Sequence, residues 1–297
     1  MMLTLNDIQA VATVAETGSI ALAAKRLHRV PSAISNRIIL MEKLYGVKLF
    51  TRDRKRMVPT EKGLMVSREG RNILSAAENL ENRLCSDEPM GRLRLGALES
   101  IAGTQLPRPL AKLIAEYPKI HLDLTTGISR SLTEGLFANE LDAILVVDAP
   151  QDPRLERCFI FEEELEFVAA KNHATIRTPK DLADDVILAF KDGCSYRGRM
   201  LRWFESFRMQ PSRIAEMSSY HAILGAIAAG MGVGIVPRSM LERFPDRDLL
   251  SEHPIEGPIG RASMELLWRA GMMSPNIRAL REILTNPEAG SSSSSAG

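Results

Sequence analysis

Cysteine is scarce in this chain, and its three residues, Cys85, Cys158 and Cys194, lie far apart. No pair has metal-ligand spacing and no C-x-x-C motif occurs, which excludes a zinc ribbon and a dithiol redox centre. Reduced thiols in a cytoplasm fit this usage. Long apolar runs are also missing. None approaches the roughly 20 residues of a membrane span, and no basic-then-apolar leader opens the chain, so neither membrane insertion nor secretion is expected. No motif calls for a metal or a cofactor. What is present is an ordinary globular balance, 45% hydrophobic and 25% charged residues over 297 positions. That length suggests about two domains, each able to bury its own core.

The formal net charge of +1 hides an asymmetry. Residues 1–84 hold 14 Lys and Arg against 8 Asp and Glu, while the remaining 213 hold 24 against 29. A small basic unit thus precedes a larger, mildly acidic one. A polyanion partner would explain the basic unit, and so would a merely solvated basic face.

The pattern of the first sixty residues decides between them. In TLNDIQAVATVAET, Leu5, Ile8, Val11, Ala12 and Ala15 share one helical face. Gly18 stops that helix and Ser19 can cap the next, the short and alanine-rich IALAAKRL. After the turn His28-Arg29-Val30, Pro31 suits the first position of a third helix. There Ile34, Ile38, Met41 and Leu44 form the apolar stripe, and Ser32, Ser35, Asn36 and Arg37 lie mostly off it. Gly46 ends the helix, and VKLFTRDRKRMVPT reads as strand, basic tip and strand, with Arg52, Arg54, Lys55 and Arg56 at the tip. Two helices joined by a three-residue turn, then a basic hairpin, describe a winged helix-turn-helix. A helix of this kind fits the major groove, and the hairpin meets phosphates or the minor groove. The alternative is a three-helix interaction module with a charged loop.

The stretch from Glu16 to Gly63 resembles the DNA-binding domain of LysR-type transcriptional regulators. The matching runs are G-S-I-x-x-A-A, R-L-H, S-A-I-S-x-x-I, M-E-x-x-x-G-V-x-L-F and, after the wing, T-x-x-G. The resemblance implies DNA contact by Ser32, Ser35, Asn36 and Arg37 in the groove and by Arg52, Arg54 and Arg56 on the wing. Arg37→Ala should then weaken specific binding more than non-specific binding. One departure matters: Val30-Pro31 stands where the family usually has Ser-Gln. Val30 cannot cap, so Pro31 must set the helix start by its fixed backbone angle.

The DNA-binding domain is expected over 1–59, followed by a proline-free helix from Thr60 to about Leu84, roughly 37 Å long. Thr60 caps it, and Val66, Gly70, Ile73, Ala77, Leu80 and Leu84 recur as a coiled-coil seam. The segment 60–91 reads as a dimer-forming linker ended by SDEPMG, or else as a core helix of one larger domain.

From residue 92 to 290 strands and helices alternate, which implies an α/β domain with a parallel sheet and crossover helices. Two lobes are expected, at about 92–160 with 265–290 and about 161–264, joined by two crossing strands as in periplasmic-binding-protein-like folds. Ligands in such sheets sit at strand carboxyl ends near helix N-termini. The cleft candidates are Glu99, Ser100, Ser129 and Asp148 from one lobe and Ser195, Tyr196, Ser219, Tyr220 and His221 from the other. Each serine alone serves as well for helix capping.

This half resembles the effector-binding domain of the same family. The phrases LGALES, DGCSYR, EMSSYH and IVPRSML are similar to a subgroup that includes the putrescine-utilisation regulator. That similarity implies a diamine or related amino compound, with Glu99 and Asp148 as partners for ammonium groups. The family implies a homodimer or homotetramer on double-stranded DNA, a small-molecule effector, contact with RNA polymerase, and no enzymatic activity.

Other motifs carry less. Gly230, Gly232 and Gly234 follow a helix and precede a strand, the reverse of a dinucleotide loop. Cys194 with His173 or His221 lacks an orienting partner for nucleophilic catalysis, and Met272 and Met273 suit packing. The tail EAGSSSSSAG is low-complexity, and residues 291–297 are expected to be disordered. The rival from another class is a small-molecule-binding protein or enzyme whose N-terminal module serves only in assembly.

Overall fold

The structure is a computed structural model, and it describes residues 3–53, 56–85 and 87–286. The wing-tip residues Arg54 and Lys55, Ser86 of the expected boundary and the serine-rich tail lie outside the described residues. The chain divides into two compact units, 1–87 and 88–297.

In the first unit, local signals set each boundary. Helix α1 (Leu5–Thr17) opens on a capping box in which the Thr4 hydroxyl accepts from Asp7 N and the Asp7 carboxylate accepts from Thr4 N. Gly18, at φ 63°, ends it. Ser19 caps α2 (Ile20–Arg26), and His28 turns the chain in the left-handed region. Helix α3 (Pro31–Tyr45) starts at Val30 without a side-chain cap. Strands β1 (Phe50–Asp53) and β2 (Arg56–Pro59) pair as an antiparallel hairpin. Helix α4 (Glu61–Cys85) then begins under the Thr60 hydroxyl, which accepts from Gly63 N.

The core holds Val11, Val14, Ala23, Ala24, Ile34, Ile38, Met41, Leu49 and Phe50. Leu5 and Leu44 of the expected apolar faces are exposed, each in the terminal turn of its helix. Gly70, placed by its spacing in a coiled-coil seam, instead lets α1 approach: a Cβ there would come within 2.4 Å of Ile8 Cγ2. Gly63 is tighter still, since a Cβ would meet the Leu49 carbonyl oxygen at 2.0 Å.

Glu42 ties α3 to the hairpin. Its carboxylate accepts from Lys48 Nζ at 2.7 Å, Leu49 N at 2.8 Å and Phe50 N at 3.3 Å. Burial works against its charge, but these hydrogen bonds outweigh it and hold the carboxyl below the usual glutamate range.

The second unit carries β3 (Gly91–Leu98), α5 (Glu99–Thr104), α6 (Pro107–Glu116), β4 (Ile120–Gly127), α7 (Ser129–Phe137), β5 (Ala143–Val147) and β6 (Leu155–Ala170). It continues with β7 (Val186–Ala189), α8 (Ser195–Ser206), β8 (Arg213–Glu216), α9 (Tyr220–Ala228) and β9 (Val233–Pro237). Last come α10 (Arg238–Leu241), β10 (Leu250–Pro254), β11 (Arg261–Arg269) and α11 (Pro275–Thr285). The strands follow the order β4-β3-β5-β11-β6-β9-β7-β8, with β10 also on β6.

Around β3 the pairs β3–β4 and β3–β5 are parallel, as are β7–β8 and β7–β9 in the other lobe. Strands β6 and β11 cross between the lobes as an antiparallel pair. Nine of the first ten residues of β6 pair with β11, Ile160 being skipped, and from Leu165 onward it pairs with β9 and β10. Met273 packs against the core as expected, whereas Met272 is exposed. Among the described residues, no helix is long and apolar enough to cross a membrane.

Glu42→Gln is expected to destabilise the first unit by about 1.5–3 kcal/mol, the worth of hydrogen bonds to a charged group. Because the folded pKa is depressed, the charge contributes stability above the ordinary glutamate value and loses it as pH falls through the folded one. Thermal unfolding of the full-length chain at pH 7 and pH 4 checks both points: the gap between wild type and variant should narrow at pH 4.

Candidate functional site

In the first unit α3 packs on α1 and α2, and Glu42 near its carboxyl end ties it to the start of the hairpin. Ser32 and Asn36 are exposed and Ser35 is half-buried, while Arg52 and Arg56 are exposed on the hairpin. Arg37 is not free on the exposed face. Its guanidinium donates to Asp7 Oδ1 at 2.8 Å, drawn to the side of the helix that meets α1. Burial opposes the Asp7 charge, yet hydrogen bonds from Thr4 and Arg37 hold its carboxyl below the usual range. Arg37 thus stands at the flank of the exposed face, beside Asp7.

In the second unit the lobes enclose a cavity of about 670 Å³. Its walls include Glu99, Thr126, Ser131, Lys191, Glu216 and Ser218, with Ile128, Phe190 and Met217 as apolar surface. Glu99, at the start of α5, reaches across the cleft. Its carboxylate accepts from Ser219 Oγ at 3.0 Å and from Tyr220 N at 3.3 Å, and so caps α9 of the opposite lobe. Glu216 accepts from Arg197 at 2.6 Å.

Beneath Glu99 and Phe190 lies a small buried recess lined by Ser100, Cys194, Tyr196 and Tyr220. The Tyr196 phenol meets the Ser100 hydroxyl there. Burial pushes the Tyr196 and Tyr220 phenols and the Cys194 thiol upward, so all three stay protonated at neutral pH.

The remaining expected residues lie elsewhere. Ser129, Asp148 and Ser195 line a separate pocket of about 450 Å³. Ser195 Oγ donates to the Val147 carbonyl at 2.8 Å and lies 2.6 Å from Ser129 Oγ, bringing the starts of α7 and α8 together. Both Asp148 oxygens are taken, by Arg199 at 2.6 Å and Arg202 at 2.8 Å. Arg199 also donates to the carbonyls of Pro258 and Arg261, so it joins Asp148 to the loop before β11. Asp148 is therefore a clasp between the lobes and faces away from the larger cavity. His221 is exposed and lines neither pocket.

Sequence reasoning missed Thr126, Ser131, Phe190, Lys191, Glu216, Met217 and Ser218. Most follow the carboxyl ends of β4, β7 and β8, so the strand-end rule would have found them had β8 been recognised. Among the described residues no cluster of His, Cys, Asp and Glu could hold a metal ion.

Residues 86–287 match the family model "LysR substrate binding domain", and residues 5–64 match "Bacterial regulatory helix-turn-helix protein, lysR family". The chain belongs to the LysR family. It is a DNA-binding LysR-type transcriptional regulator with an effector-binding domain, and its relatives are regulators, not enzymes.

The HTH-type transcriptional regulator YofA of Bacillus velezensis is 29% identical over 291 residues, which cover 95% of this chain and 97% of YofA. GltR of Bacillus subtilis is 28% identical over 249 residues, covering 84% of each. Among solved structures, a full-length OxyR variant from Pseudomonas aeruginosa aligns with a TM-score of 0.72 at 22% identity, over 96% of this chain and 98% of that one. Full-length CbnR complexed with its target DNA aligns at 0.70 and 23%, over 96% and 99%. These likenesses establish the LysR fold.

The two partners of Asp148 differ in burial, which separates their energetics. Arg199 has a side chain only 10% exposed, against 53% for Arg202. Asp148→Ala strands a buried guanidinium and should cost about 3 kcal/mol. Arg202→Ala removes an exposed partner and should cost less than about 1 kcal/mol. Urea unfolding of the two variants gives the comparison.

Proposed function

We propose that this regulator binds operator DNA through α3 and the hairpin, and that an amine-bearing metabolite in the cleft changes how it does so. In this reading Ser32 and Asn36 contact base edges, Ser35 and Arg37 flank them, and Arg52, Arg54 and Arg56 meet phosphates. The exposed apolar side chains of Ile73, Leu80 and Leu84 on α4 support pairing of two chains through that helix. A homodimer or homotetramer, a cytoplasmic setting and contact with RNA polymerase belong to the same reading.

The observation that carries the effector reading is Glu99. Its carboxylate already occupies the positive start of α9, so an anionic ligand would compete with the protein's own charge there. An ammonium group at the same wall instead meets Glu99 directly, and Glu216, whose Oε1 accepts from Arg197, adds a second carboxylate to the lining. A diamine or a related amino compound suits that lining, with Lys191 available to a carboxylate if the compound is an amino acid. Such a ligand favours one lobe arrangement only through unequal affinity for the two.

Equilibrium binding of putrescine, cadaverine and common amino acids is the direct test. Saturable binding of at least one amine is expected, and Glu99→Gln should weaken it by roughly tenfold or more, in keeping with loss of a charged partner. No saturable binding to any amine would end the amine reading.

DNA recognition is tested by titrating duplex from upstream of the chain's own reading frame, beside a shuffled control, at two salt concentrations. Preference for the native fragment and a steep loss of affinity with salt are expected. Asn36→Ala should reduce the preference. Arg37→Ala, acting from the flank, should weaken both duplexes about equally.

A further inference from the structure

Val30 occupies the N-cap of α3 and makes no side-chain hydrogen bond to the helix it begins. Aliphatic residues are among the poorest at this position, because they leave the first N–H groups of the helix without a partner. Pro31 follows at the first helical position and brings no N–H of its own. Val30 is 63% exposed and Pro31 is exposed beside it, while Ile34, one turn on, faces the core. Val30 and Pro31 therefore present an isopropyl group and a pyrrolidine ring ahead of the first hydroxyl of α3, at Ser32.

The N-terminal residues of a recognition helix are those that reach base edges. Of the groups displayed in the major groove, the C5-methyl of thymine is the apolar one. A side chain without donors or acceptors gains nothing from the other base edges and desolvates them at a cost. We propose that Val30 is a specificity-determining residue that reads a thymine methyl group at the leading end of α3. Ser32 and Asn36, exposed on the same helix, supply the polar readout of neighbouring base pairs. The assignment rests on the reading of α3 as the groove helix.

The test uses full-length protein and duplexes selected from a random-sequence pool. Each thymine of the selected sequence is replaced singly by uracil, which removes only the methyl group, and binding is measured. At one thymine per α3 contact, uracil should weaken binding roughly fourfold, the worth of one buried methyl-sized group. Val30→Ser should bind thymine and uracil duplexes equally at that position.

The comparison on unmodified protein does not depend on the variant, and serine also caps α3 well, so the variant is expected to fold. Uracil tolerated at every position overturns the assignment, as does a Val30→Ser protein that keeps the discrimination. If Asn36→Ala also selects an unchanged sequence, the groove-helix reading fails together with it, a result distinct from failure at Val30 alone.

Discussion

The second unit depends on one strand being shared. Strand β6 runs through 16 residues and serves two sheets in succession, first beside β11 and then beside β9 and β10. Neither lobe can complete its sheet without it, so the lobes cannot separate into independent bodies. The pairing of β6 with β11 carries a register irregularity at Met264/Glu265, opposite Phe159 and Phe161, and β6 passes to the second sheet at Leu165. Everything that makes a cleft follows from this: helices at facing strand ends, and a cavity walled by both lobes.

Several polar links then span the gap that the shared strand leaves. Glu99 reaches Ser219 and Tyr220, Ser195 reaches Val147, Arg243 reaches the Thr104 carbonyl and Arg199 reaches Asp148. They differ in kind. The Arg199–Asp148 link joins a buried guanidinium to a partly exposed carboxylate and is reinforced by backbone carbonyls, so it fixes the lobes near the crossing strands. The Glu99 link sits at the wall of the large cavity, where a ligand can alter it. A rigid clasp and an adjustable one thus stand on opposite faces of the same cleft.

Much of the first unit was legible because its determinants are local. Gly18, Ser19, Pro31, Gly46 and Thr60 mark boundaries within a few residues of what they control. Short strands were harder: β8 and β10 run only four and five residues and lack a readable alternation. The side-chain partners of the site candidates were not legible for a different reason. The fate of Asp148 is decided by Arg199, and that of Arg37 by Asp7, through side chains that come together only after folding. No spacing rule reports a partner that distant. Glu99 was recognised as a cleft residue, but its role as the cap of α9 was invisible because α9 begins 121 positions later.

Close docking of α4 on its neighbours has a mechanical consequence. Gly63 and Gly70 leave no room for a side chain against Leu49 and Ile8, so the early turns of α4 are seated on the same body that carries α3 and the hairpin. Fifteen residues of the helix continue past Gly70, about 22 Å at helical rise. A stiff arm of that length converts angle into distance. A tilt of about 10° at its seat moves the far end by roughly 4 Å. Since the arm and α3 turn together, any force that repositions the far end of α4 re-aims the groove-facing helix by the same angle.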